Sequence, residues 1–167
     1  MERKIQRITP NFWFNGNAEE AVNHYFSIFK DARIGRTTRY TGDGKEFHGM
    51  EEGAVMTIEF QLEDQQYLAL NGGGDFKFNE AISFIVNCDS QEEVDYYWEK
   101  LSEGGDESAQ VCGWLKDKFG ISWQVVPIEL DDMMQDGDKE KVSRVMNSLL
   151  QMKKLDLNEL RRAYVGE

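Results

Sequence analysis

The side chains that could do chemistry in this chain are few, and their spacing withholds most of what they could do. There are two histidines, His24 and His48, and two cysteines, Cys88 and Cys112. Metal centres and nucleophile–base pairs draw mainly on these residue types. His24 falls in a helical pattern and His48 in a loop after Gly44, so both are expected as surface or helix-face residues. Cys112 is a conceivable nucleophile. A reactive thiolate needs a cation or histidine at hand, and the nearby basic residues, Lys116 and Lys118, lie beyond a turn. A buried structural cysteine is therefore expected. The pairs Glu19-Glu20, Glu51-Glu52 and Asp131-Asp132 are sequence neighbours that point in different directions, and they read as solvated charge. Gly72-Gly-Gly74 follows a strand, but Asp75 comes next and no helical pattern opens there. It lacks the strand, glycine turn and helix that hold an adenosyl cofactor, and it reads as a connector.

The richest stretch is Cys112-Gly-Trp-Leu-Lys-Asp-Lys-Phe-Gly-Ile-Ser-Trp-Gln-Val-Val-Pro127. Trp114, Ile121, Trp123, Val125 and Val126 carry strand propensity, and Gly120 supplies the freedom for a turn over Asp117 to Gly120. Ser122 and Gln124 alternate with large apolar residues. Two aromatics and a glutamine on a paired ladder can wall a pocket or pack under a helix.

The elements that must position this hairpin come in two similar runs. Residues 5–15 read as a strand interrupted near Pro10. Asn17 is an expected N-cap, with Glu20 at capping-box spacing. Ala18, Ala21, Val22, Tyr25, Phe26 and Phe29 follow the helical period. Strands are expected at 34–41, 54–62 and 66–71. The pattern then restarts with a strand at 81–88 and a helix capped by Ser90 and Glu93, whose stripe is Val94, Tyr97, Trp98 and Leu101. The hairpin follows, leaving the second run little room for its middle strand. From Asp138 onward Val142, Val145, Met146, Leu149 and Leu150 form a helical stripe, and a shorter helix starts at Asp156. That stripe must be buried, against its own sheet or against a second subunit.

Composition bounds the partners. The net charge of -12, from 31 acidic against 19 basic residues, repels phosphate backbones, and nucleic acid is not an expected partner. No apolar run approaches a membrane span, and the N-terminus lacks the apolar core of a signal peptide. Two cysteines without a CxxC spacing fit a reducing, cytoplasmic setting.

Two modules in this order resemble the vicinal oxygen chelate superfamily of glyoxalase I, bleomycin-resistance proteins and extradiol dioxygenases. The closest likeness is to the PhnB-like branch labelled 3-demethylubiquinone-9 3-methyltransferase. It is carried by Ala18-Glu-Glu-Ala21 with Tyr25 and Phe29-Lys30, by Gln91-Glu-Glu-Val94 with Trp98 to Gly105, by the Cys112 to Pro127 run, and by Arg144-Val-Met with Met152 to Leu157. The resemblance implies an α+β fold of two fused βαβββ modules (5–74 and 80–128), each curling its strands into a half-open cup, with C-terminal helices over 136–165. It also implies a homodimer. The superfamily's metal positions fall near Pro10 or Asn11, Ala69, Ser83 and Gln124, with Asn71 a neighbour. None is His, Asp or Glu, and amides and hydroxyls are poor ligands for a divalent ion. No metal and no cofactor are expected.

What the resemblance leaves is a cup lined by Asn11, Trp13, Tyr67, Asn71, Ser83, Cys112, Trp114 and Gln124. An apolar pocket with a few convergent polar groups suits a small molecule, here a flat or aromatic one. The expected function is metal-free binding of such a molecule. The alternatives are an enzyme of the family, with transferase or lyase-type chemistry, and a dimeric structural or interaction protein.

Overall fold

In the computed structural model, which describes residues 6–167, the first element is β1 (Asn11–Phe14), starting directly after Pro10. The expected strand over 5–15 is thus shorter, and Ile5 lies outside the described residues. Then come α1 (Ala18–Ile28), β2 (Ala32–Arg39), one helical turn α2 (Lys45–His48), β3 (Val55–Leu62) and β4 (Gln65–Asn71). The sheet order is β1-β4-β3-β2, with β1 parallel to β4 and the other pairs antiparallel. Alternation decides the two faces. Phe12, Phe14, Ile58, Phe60, Tyr67 and Ala69 are buried on the face that packs against Ala18, Ala21, Val22, Tyr25 and Ile28 of α1. Trp13, Thr57, Glu59, Leu68 and Leu70 share the other face and are only half-buried.

Two expectations for α1 are corrected. Phe26 stands 49% exposed, off the stripe, and Ile28 is buried instead. Asn17 makes no side-chain cap bond. The Ala18 N–H donates instead to Oδ1 of Asn71 at 3.0 Å, while Asn71 Nδ2 donates to the Val55 carbonyl at 3.1 Å. A strand residue caps the helix and ties it to the sheet, satisfying one of the orphan amides of the first turn.

The chain divides into two compact units between Lys77 and Phe78. The second holds β5 (Phe84–Cys88), α3 (Gln91–Ser102), a 3-10 turn (Glu107–Ala109), β6 (Trp114–Lys116) and β7 (Ser122–Pro127). Its order is β5-β7-β6, with β5 parallel to β7. This is the kernel of the first sheet without the strand that β2 supplies there, as the short spacing implied. Phe84, Val86, Cys88, Leu115, Trp123 and Val125 share the face toward α3, where Val94, Tyr97 and Leu101 are buried. Ser90 caps α3 by accepting from the Glu93 N–H, while the Glu93 carboxylate accepts from the Asp89 N–H, one residue earlier than a capping box requires.

Three helices close the chain: α4 (Glu129–Met134), α5 (Lys139–Leu149) and α6 (Leu157–Val165). Asp138 and Asp156 cap the last two. α4 was not anticipated; its Leu130 and Met133 join Val145, Met152, Leu155, Leu157 and Leu160 in one core. Only part of the α5 stripe is covered. Val145 is fully buried, whereas Leu150 is 56% exposed. The Gln91 side chain pins this tail to α3, donating to the Leu155 carbonyl at 3.1 Å and accepting from the Leu157 N–H at 2.7 Å.

Candidate functional site

The geometry of the second sheet's open face starts from one buried carboxylate. Asp117, 3% exposed, sits at the end of β6 and accepts through Oδ1 from the Phe119 and Ile121 N–H groups, at 2.9 and 3.0 Å. Its Oδ2 accepts from the Trp123 indole N–H at 2.8 Å. Bonds to a charged acceptor are the stronger kind, and here they fix both the turn and the ring that anchors β7 to the core. With Trp123 turned inward, the period of two turns Gln124 outward. The register places Gln124 between Ile85 of β5 and Trp114 of β6, and Asn87 beside Val126 in the next row.

These residues wall a cavity of about 410 Å³ lying wholly within the second unit. Ile85, Asn87, Trp114, Gln124 and Val126 come from the sheet, and Ile128, Leu130, Asp131, Leu149 and Leu155 from the tail. Cys112 completes the wall. Ser83 does not line it directly; its Oγ accepts from Gln124 Nε2 at 2.8 Å and so fixes the amide, leaving Oε1 uncommitted. Among the described residues the Trp114 indole N–H, the Asn87 amide and Gln124 Oε1 have no hydrogen-bond partner. The chemistry on offer is an apolar floor with uncommitted donors and acceptors, which holds and orients a small molecule.

The cysteines differ from each other. Cys112, expected as a buried structural cysteine, is only half-buried and lies in a turn. It and Gly113 have φ of +51° and +83°, as a two-residue turn between Val111 and Trp114 requires. Their N–H groups donate to the Met152 and Lys153 carbonyls, each at 2.8 Å, so this turn docks the tail. Cys88 is fully buried, and burial pushes its thiol up to about 12, with Glu93 and Asp89 adding to the effect. It is an inert core residue.

The first unit's candidates fare differently. Asn11 is exposed at the start of β1. Trp13 is on the open face, but its indole N–H donates to the Gly73 carbonyl at 2.9 Å and its ring meets Phe76 edge-on at 4.9 Å. Tyr67 and Asn71 point the other way. Tyr67 stacks on Phe60 at 5.3 Å in the core under α1, where burial raises its hydroxyl pKa, and Asn71 caps α1. They belong to the helix-packed face because β4 pairs with β1 and β3 in the register that turns Leu68 and Leu70 outward. Ala69, set near a metal position by the resemblance, is likewise on the inward face and fully buried.

A divalent ion does not fit these residues. Asn11 and Ala69 in the first unit, and Ser83 and Gln124 in the second, supply an amide, a methyl group, a hydroxyl and an amide. Among the described residues no group of three His, Cys, Asp or Glu side chains converges. The His48 ring is taken up locally: Nδ1 accepts from the Met50 N–H at 3.0 Å, and Nε2 lies 3.2 Å from the Asp43 carbonyl. An adenosyl cofactor fits no better. Gly72 lies against the Trp13 indole, so closely that a Cβ there would stand 2.3 Å from ring carbons. The glycine makes room for tryptophan rather than for a phosphate or a ribose.

Reasoning from sequence missed Asn87, Ile85 and the whole tail wall. The one signal available for the wall was Leu130 with Met133 and Met134, at helical spacing after Pro127.

Comparison with solved structures agrees with this architecture. A PhnB protein of Bacillus cereus, described as a putative 3-demethylubiquinone-9 3-methyltransferase, is 32% identical, with a TM-score of 0.63 over 73% of this chain and 99% of its own. Protein PA1353 of Pseudomonas aeruginosa is 20% identical, with a TM-score of 0.57 over 74% of this chain and 98% of its own. The fosfomycin resistance protein FosX of Listeria monocytogenes shares the fold at 14% identity and a TM-score of 0.50, covering 81% of this chain and 100% of its own. Comparison with curated proteins gives no match. A family model described as 3-demethylubiquinone-9 3-methyltransferase matches residues 6–126, which leaves α4, α5 and α6 outside it. The chain therefore belongs to that family, the PhnB-like branch of the vicinal oxygen chelate superfamily with its glyoxalase-like fold.

Proposed function

We propose that the protein binds a small, flat organic molecule on the open face of the second sheet, without a divalent metal. The observation that carries this reading is the set of uncommitted groups on Trp114, Asn87 and Gln124, gathered in one cavity whose other walls are apolar apart from Cys112 and Asp131. A volume of 410 Å³ falls in the range of roughly 300–1,000 Å³ usual for small-molecule sites. The Trp114 ring supplies a surface for stacking, and the amides supply orientation. The methyl transfer in the family's name finds no support in the glycine run, which is occupied by Trp13.

Native mass spectrometry of gently purified protein, alone and mixed with 2-naphthol as a neutral flat probe, tests the reading. A one-to-one adduct that disappears in Trp114→Ala is expected. Absence of any adduct contradicts binding, and a stoichiometric divalent ion carried through purification contradicts the metal-free reading. The same spectrum checks the homodimer, which is part of this proposal; a monomer mass at micromolar concentration removes it.

A further inference from the structure

The walls of the cavity differ in origin and in charge. The family match ends at residue 126, so Ile128, Leu130, Asp131, Leu149 and Leu155 lie outside it, and they wall one side of the open sheet face. Among all eleven lining residues Asp131 is the one that carries a charge, and no lysine, arginine or histidine faces it from the lining. The Asp131 Oδ2 accepts from Gln135 Nε2, at 2.8 Å and one turn along α4, and Oδ1 has no partner among the described residues. The Gln124 carbonyl oxygen, left uncommitted when Nε2 donates to Ser83, adds a second acceptor on the sheet side. An anion entering here meets a carboxylate and finds no countercharge. A cation meets a carboxylate, a carbonyl oxygen and the face of an indole, three groups that each favour positive charge. The field of a chain with net charge -12 draws cations toward the site as well.

We infer that the C-terminal helices make this site selective for a flat cation, such as an arylmethylammonium or an aromatic amidinium, with its positive group at Asp131 and its ring against Trp114. The inference rests on the proposal that the second sheet's open face is a binding site. Asp131 is exposed, so solvent weakens the contact, and the discrimination is modest.

The test is calorimetric titration of the full chain with three probes of one ring system: 2-naphthylmethylammonium, neutral 2-naphthol and 2-naphthoate. The cation is expected to bind about tenfold tighter than the anion at low salt, with the neutral probe between them. In Asp131→Asn, which keeps Oδ1 as an acceptor, that ratio should fall to within about twofold while 2-naphthol is unaffected. Asp132→Asn is the control for net charge, since Asp132 is outside the lining; it should leave the ratio in place. Equal binding of cation and anion overturns the inference, and so does a ratio that survives Asp131→Asn. In both cases binding of 2-naphthol shows that the underlying site still stands. Failure of all three probes overturns inference and site together. A folded Asp131→Asn, checked by its amide spectrum, keeps the comparison valid.

Discussion

The open faces of the two sheets are built on the same strand kernel but treat their polar groups in opposite ways. On the first sheet those groups are spent on one another. Arg36 makes two bonds to the Glu59 carboxylate, at 3.1 and 2.7 Å; the Thr38 and Thr57 hydroxyls meet at 2.6 Å; and the Trp13 indole N–H is given to Gly73. On the second sheet Ser83 takes one end of Gln124, and among the described residues the other end, the Trp114 indole N–H and the Asn87 amide have no partner. A face whose polar groups are already paired offers a ligand little without breaking those pairs. A face with uncommitted groups, roofed on one side by apolar helices, offers orientation and burial together. Module kinship thus sets where the strands run, and the pairing of side chains decides which module can work as a site.

Several substitutions would break or sharpen this contrast. The largest effect is expected for Asp117→Ala, which leaves two backbone amides and the Trp123 indole without their acceptor. Chemical denaturation should show a loss of about 3–5 kcal/mol, and the Trp114–Gln124 pairing should go with it. A loss under 1 kcal/mol would mean the hairpin holds its own shape. Next is Gly72→Ala, where the new methyl group meets the Trp13 ring. It should cost about 2 kcal/mol by overpacking, and leave probe binding unchanged because the site lies in the other unit. The paired tryptophan variants come third. Trp13→Ala should lower stability by about 2 kcal/mol and spare binding, whereas Trp114→Ala should weaken 2-naphthol at least tenfold with little change in stability. The reverse pattern would move the site to the first sheet.

The smallest expected effect is a pH dependence of tail docking. Arg161 holds the Glu129 carboxyl below its usual range, and Lys154, with Gln91, does the same for Asp95. A carboxyl with a depressed folded pKa contributes stability that is complete above its unfolded pKa and lost as pH falls through the folded one. Urea unfolding followed from neutral pH downward should show the tail weakening only below the ordinary carboxylate range. Arg161→Met should flatten part of that slope, and an unchanged slope would remove the Glu129–Arg161 pair from the account.

Much of the fold was legible because alternation and helical period are local signals. The strands at Val55–Leu62 and Gln65–Asn71 and the caps Ser90, Asp138 and Asp156 were within reach of reading along the chain. The site was harder. Tyr67 and Asn71 look like pocket residues by type, but their direction is set by pairing with β1 and β3, and a shift of one residue exchanges the faces. Asn71 also illustrates a polar residue kept for capping a helix fifty-three positions away in sequence, a contact that no local pattern announces. Cys112 read as a buried cysteine because its neighbours are large and apolar, yet its positive φ places it, half-buried, in the turn that receives the tail. The tail wall depends on where α4 folds back, which composition does not encode.

The central claim, that the working face is on the second sheet, is tested most directly by a nitrogen-15 amide spectrum recorded while 2-naphthol is added. The Trp114 indole N–H and the Asn87 and Gln124 side-chain amides should shift and saturate together, while the Trp13 and Trp123 indoles, committed to Gly73 and Asp117, stay in place. Movement of the Trp13 indole with a still Trp114 would contradict the account.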